Sequence, residues 1–191
     1  MARQGLDPDA VVAAAARIAD RDGLGAVTIA AVAADLGVRP PSLYNHVESR
    51  QALLVAIGLR GTAALTAALS RAAAGLAGDD ALLAVAHAQR AFAREHPGEY
   101  DAMHRALGAR DERVLAAGEA AVDVIRAVLR GYGLEGEEAI HAARAARSTV
   151  HGFVALELAS GYAIGTDLEA SFEWTIRTLG AGLRVRGGVG A

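Results

Sequence analysis

The chain has no cysteine and no lysine. Without thiols, disulfides and thiolate chemistry are excluded, and so are cysteine-built zinc sites. All 19 basic residues are arginine, which reads as a GC-rich coding bias rather than as mechanism. Aromatics are scarce: one Trp, four Tyr and three Phe in 191 residues. No run of about 18 apolar residues is free of charge, so no membrane span is expected. No signal-like stretch precedes Asp7 and Asp9, and the expectation is a cytoplasmic protein. What is plentiful is alanine, within a hydrophobic share of 53%. Alanine-rich, aromatic-poor chains form helices readily and pack them closely. The length suits one large helical domain or two small ones.

The most informative stretch runs from Thr28 to Val47. Thr28 suits a helix N-cap, since its hydroxyl can accept a free backbone N–H there. Ile29, Val32, Ala33 and Leu36 recur at helical spacing and define an inward face. Ala33 is small enough for a second helix to cross closely. Gly37 ends this helix cheaply, because a residue without Cβ tolerates the left-handed conformation. Pro40-Pro41 opens the next one, where a missing N–H costs nothing. Leu43 and Val47 would anchor that second helix, leaving Arg39, Ser42, Tyr44, Asn45 and His46 outward or flanking. This is the layout of a helix-turn-helix. Spacing alone leaves an alternative open, because two helices joined at a glycine also occur in helical proteins that never touch DNA.

Charge does not favour nucleic acid at domain level. Residues 1–60 hold six arginines against six acids, and residues 61–191 hold thirteen against sixteen. Position compensates in part. Asp7, Asp9, Asp20 and Asp22 lie at the ends of the first helix, whereas Arg39, His46 and Arg50 gather around the second helix of the motif. Few phosphate contacts per chain would make affinity depend on dimerisation and geometry.

The periodicity predicts an all-α chain of about nine helices, with no internal repeat and no strand. The first runs over 8–22 between Asp7 and Gly23, followed by the two of the motif. A fourth starts after Ser49 and reaches about Ala74; Gly75 to Asp79 reads as a linker. A fifth extends to Glu95, and Pro97-Gly98 starts a short sixth through about Leu107. Asp111 caps a seventh that stops at Gly131. An eighth covers 135–161 and a ninth 167–183. The tail from Arg186 is too glycine-rich to order itself.

Thr28 to Leu54, with Leu43-Tyr44-Asn45-His46-Val47-Glu48-Ser49-Arg50, closely resembles the DNA-binding region of the tetracycline-repressor (TetR) family. Asp7 to Gly25 fits the family's first helix and glycine link. Two later patches, Phe92 to Tyr100 and Arg147 to Glu157, resemble a C-terminal subfamily with a Trp-His-Gly signature, although Val150 stands in place of the tryptophan. The resemblance implies a helix-turn-helix domain over 1–52 and a ligand-binding and dimerisation domain over 53–191. It marks Thr28, Tyr44, His46 and Arg50 as phosphate contacts, and Arg39, Pro41, Ser42 and Asn45 as readers of base edges. The chemistry is apt: helix starts offer N–H groups to anions, arginine matches the guanine O6/N7 pair, and asparagine matches adenine. Asn45 departs from the aromatic often found at its position.

The family also places a ligand pocket among the fifth to seventh helices, with Phe92, Tyr100, Met103, His104 and Val122 as its wall, although for any single one of them plain core is the commoner role. Such a set fits an apolar or aromatic effector. Arg90, Arg94 and Arg105 would form an inward cluster only if their helices were rotated relative to the apolar stripes. Two stripes suggest a dimer through the last two helices: Val150, Val154 and Leu158 on the eighth, with small Ser148, Gly152 and Ala155 beside them, and Phe172, Ile176, Leu179 and Leu183 on the ninth. Intrachain core could explain either stripe. The histidines have no metal-ligand spacing, and no catalytic cluster or cofactor motif is found, so neither an enzyme nor a metal site is expected. The expected function is a dimeric transcriptional repressor on a near-palindromic operator, released by a small-molecule effector.

Overall fold

The computed structural model describes residues 7–106, 108 and 111–188. Among them there is no strand. Eight α-helices and two 3-10 helices follow one another: α1 (Pro8–Asp22), η1 (Leu24–Ala26), α2 (Ile29–Asp35), η2 (Pro40–Asn45), α3 (Arg50–Ala73), α4 (Gly78–Glu95), α5 (Pro97–Ala106), α6 (Glu112–Arg130), α7 (Gly136–Leu158) and α8 (Leu168–Gly187). They fall into two compact units, one within Met1–Ala63 and Glu95–Ala117, the other within Ala64–Arg94 and Gly118–Ala191. Residue 52, the last of the expected helix-turn-helix domain, lies inside α3.

Local chemistry sets most helix ends. Asp7 caps α1 by accepting from the Asp9 N–H at 3.2 Å. Ser49 Oγ accepts from the Ala52 N–H at 3.0 Å at the start of α3. Asp111 and Asp167 do the same for α6 and α8. Each such cap contributes about 1 kcal/mol. Two ends differ from the sequence reading. The eighth expected helix stops at Leu158, and Ser160 then takes a positive φ of 56°. The tail expected to be without order instead continues α8 to Gly187, with Leu183 buried; residues 189–191 lie outside the described set, as does Leu107.

The core of the first unit gathers Val11, Ala15, Ile18, Val32, Leu43, Leu53, Ile57 and Ala102 from α1, α2, η2, α3 and α5. By length and composition α3 could cross a membrane. Its Leu53 and Ile57, however, are fully enclosed in this core, so it is a core helix. The packing of α1 on α5 is unusually close. A Cβ on Gly98 would lie 2.1 Å from the Ala19 carbonyl carbon, so only glycine allows the approach. At that junction Asp20 Oδ1 accepts from the N–H groups of Gly98 and Glu99, at 2.9 and 3.0 Å. A side chain from α1 thus caps α5, satisfying donors that a helix start leaves open. Burial pushes the Glu99 carboxyl above its ordinary range, against the opposing pull of Arg60.

The second unit is built around Phe172, which is fully buried on α8. It meets Phe153 of α7 edge-on at 5.0 Å and His87 of α4 at 5.2 Å. Above it sits the guanidinium of Arg90, 4.7 Å from the ring centroid. Arg90 is 5% exposed and holds Glu157 through two hydrogen bonds of 2.7 and 2.9 Å and Glu169 through one of 2.6 Å. This corrects the expectation of an outward arginine: Arg90 points inward because two distant glutamates compensate its charge. Paired this way the burial is tolerable, whereas removing one partner costs about 3–5 kcal/mol. Elsewhere in the unit, burial pushes the Tyr132 hydroxyl up to about 12, so it stays protonated and donates to Asp79 at 2.7 Å.

Candidate nucleic-acid interface

The motif predicted over Thr28–Val47 forms. Thr28 Oγ1 accepts from the Ala31 N–H at 3.0 Å and starts α2. Val32 and Ala33 are buried beneath it, and Gly37 makes the turn at a φ of 66°. A salt bridge of 2.8 Å between Arg17 and Asp35 ties α1 to the end of α2. The second helix is shorter and tighter than the spacing suggested: η2 is a 3-10 helix of six residues. Pro40 and Pro41 supply no N–H, and the next bonds, Ser42 N–H to the Arg39 carbonyl and His46 N–H to the Leu43 carbonyl, span three residues. Such geometry is favoured in short pieces with few donors.

Two anchors hold η2 down. Leu43 is fully buried and Val47 nearly so, both in the core of the unit. Behind them the other side chains face outward. Arg39, Pro41, Ser42 and Asn45 are exposed, Tyr44 is 60% exposed, and His46 is half-buried. The arrangement presents a guanidinium, an amide, hydroxyls and an apolar ring on one short element, a set able to hydrogen-bond base edges and phosphates.

Arg50 has a role that sequence reasoning missed. Its Nε donates to the Val27 carbonyl at 2.6 Å and its Nη2 to the Leu24 carbonyl at 2.7 Å. The side chain expected on a phosphate therefore also ties the start of α3 to the segment entering α2. No local signal could reveal this, because the partners lie more than twenty residues away.

The expected pocket residues are divided between the two units. Tyr100, Met103 and His104 belong to the first unit, Phe92 and Val122 to the second. Phe92 and Tyr100 are buried, the other three half-buried. The His104 Nδ1–H donates to the Tyr100 carbonyl at 2.7 Å, and the two rings lie 4.6 Å apart. Two small cavities are lined by other residues. One of about 200 Å³ in the first unit has Leu24, Arg50, Leu54, Val55, Ala102 and Arg105 in its wall. The other, of about 230 Å³ in the second unit, has Leu134, Glu138, His141, Ala142, Leu183 and Arg186.

The stripes assigned to dimerisation are largely consumed within the chain. Val150, Val154, Phe172, Ile176 and Leu183 are buried, Leu179 is half-buried, and Leu158 alone of the seven is exposed. Periodicity marked the apolar face correctly, but α7 and α8 spend it on their own unit's core. The exposed face of α8 carries Trp174 at 70% and Val185 at 83% exposure, with Thr178 and Ala181 between them.

Comparison with known proteins agrees with this architecture. Residues 11–57 match the family described as bacterial regulatory proteins, tetR family, and residues 82–179 match a tetracyclin repressor-like C-terminal domain. The HTH-type transcriptional regulator Rv0681 of Mycobacterium tuberculosis is 41% identical over 182 residues, covering 95% of this chain and 83% of its own length. The regulator YobS of Bacillus subtilis is 37% identical over 185 residues, covering 96% and 95%. Among solved structures, a TetR variant from Acinetobacter baumannii in complex with minocycline superposes with a TM-score of 0.71 at 25% identity, covering 95% of this chain and 98% of that one. With its helix-turn-helix, its all-helical C-terminal part and these relatives, the chain belongs to the TetR family of transcriptional regulators.

Proposed function

We propose that the protein acts in the cytoplasm as a dimeric repressor that reads a near-palindromic operator through η2. The observation that supports this best is the outward display of Arg39, Pro41, Ser42, Tyr44 and Asn45 over the buried anchors Leu43 and Val47. Arg39 and Asn45 read base edges, with Ser42 and Pro41 beside them. Thr28, Tyr44, His46 and Arg50 face phosphates, Arg50 combining that contact with its hold on the Val27 and Leu24 carbonyls. Selection of bound sequences from random DNA, followed by band shifts with Arg39→Ala, tests the assignment; an affinity that ignores sequence in the wild type refutes it.

Dimerisation uses the exposed face of α8. Trp174, Thr178, Ala181 and Val185 recur at i, i+4, i+7 and i+11 and form one stripe. On α7 the exposed Ser148, Ala155 and Leu158 are assigned to the same interface, the two small residues permitting close helix approach. The effector is apolar or aromatic. Tyr100, Met103 and His104 on α5 offer it two rings, a flexible thioether and one polar edge. Binding better to one of two states, such a ligand shifts the protein away from the operator-competent one.

A further inference from the structure

Three side chains from two distant segments of the sequence converge where α1 meets the start of α5. Asp20 lies in the last turn of α1, His96 precedes α5, and Glu99 lies in its first turn. One ligand-capable atom from each falls within 4.8 Å of the other two. His96 Nδ1 is 3.1 Å from Asp20 Oδ2 and 4.0 Å from Glu99 Oε1. Ligands on a four-coordinate ion with bonds of about 2 Å sit roughly 3 to 4 Å apart, so only small side-chain movements are needed.

The second observation concerns Glu99. It is 2% exposed, and its Oε2 has no hydrogen-bond partner. A buried carboxylate oxygen without a partner carries a desolvation cost that native structures rarely leave uncompensated. Arg60 engages the other oxygen, Oε1, which is also the one that faces His96, from a half-exposed side chain, so a bound cation takes the place of the guanidinium there. Asp20 is already immobilised by the Gly98 and Glu99 N–H groups through Oδ1, which leaves Oδ2 turned to His96. The glycine-mediated contact of α1 with α5 holds the donors in place before any ligand arrives.

We propose that Asp20, His96 and Glu99 form a binding site for a first-row divalent cation, zinc being the probe of choice. One imidazole nitrogen and two carboxylate oxygens, without thiolate, suit such an ion, with water completing the coordination. Bound there, the cation pins the end of α1 to the first turn of α5. A second acidic group, His87 with Glu169 and Glu173, lacks these features: it is more exposed, and Glu169 already serves Arg90.

The test is equilibrium dialysis of the full-length, chelator-treated protein against zinc, with thermal melts in parallel. The wild type binds one ion per chain at micromolar zinc and melts higher with it, by mass action. Glu99→Gln and His96→Gln each weaken binding by about tenfold or more, while Glu173→Gln leaves it unchanged. His96 is half-exposed and outside any helix, so His96→Gln decides the matter if Glu99→Gln fails to fold by circular dichroism. No zinc uptake by the wild type, or uptake that survives His96→Gln and falls with Glu173→Gln, overturns the proposal.

Discussion

The guanidinium of Arg50 binds the Val27 carbonyl at 2.6 Å, fixing the first turn of α3 to the residue that precedes the cap of α2. The same side chain also holds Leu24. Whatever charge Arg50 presents to DNA, it presents from a braced position.

Arg50→Ala is therefore expected to act twice. Loss of two charge-assisted hydrogen bonds lowers stability by about 1.5–3 kcal/mol, seen in urea unfolding. Operator affinity falls for all sequences alike, and the dependence on salt becomes shallower. Arg50→Lys keeps the charge but not the fork, so it restores the salt slope without restoring stability. Full stability in Arg50→Ala would contradict the bracing role.

Exposed and buried positions on α8 separate two kinds of failure. Trp174→Glu places a charge on the outer face and is expected to give folded monomers by light scattering. Phe172→Ala removes the ring that meets Phe153, His87 and the Arg90 guanidinium, which costs about 3–5 kcal/mol, and is expected to lower stability without changing the oligomeric state of the molecules that stay folded. An unchanged dimer in Trp174→Glu would place the interface elsewhere.

Acid stability reports on the Arg90 cluster. Hydrogen bonds from Arg90 hold the Glu157 carboxyl below its ordinary value of 4.5, with Arg94 adding to the pull. A carboxylate whose folded pKa is lowered contributes stability above its unfolded value. That contribution disappears as the pH falls through the lower, folded value. Glu157→Gln should thus be less stable than wild type at neutral pH, the gap narrowing once the pH drops below 4.5. Denaturant unfolding at several pH values measures it; a gap independent of pH would mean that Glu157 acts by packing alone.

Much of the fold was legible because its punctuation is local. Asp7, Thr28, Ser49, Asp111 and Asp167 cap helices within three residues of themselves, and Gly37 turns the motif where a left-handed residue is needed. The display of Arg39, Ser42 and Asn45 followed from the burial of Leu43 and Val47, also a local pattern. What could not be read depends on distant partners. Asp20 looked like an acid at a helix end, yet it caps a helix nearly eighty residues later. Arg90 looked like a solvent-facing arginine until Glu157 and Glu169 were brought to it. Phe172 and Ile176 formed a true apolar stripe, but periodicity says which face is apolar and not what covers it. Two prolines also shortened η2 from an α-helix to a 3-10 turn, an effect of missing donors that apolar spacing does not register.

The most direct test of the central claim is fluorescence anisotropy of the wild type and Arg39→Ala on the selected operator and on single-base variants of it. The account predicts that Arg39→Ala loses about 1–3 kcal/mol on the operator and stops discriminating at one or two base positions, while its binding to unrelated DNA stays the same. Equal operator affinity and unchanged discrimination in Arg39→Ala would contradict recognition through η2.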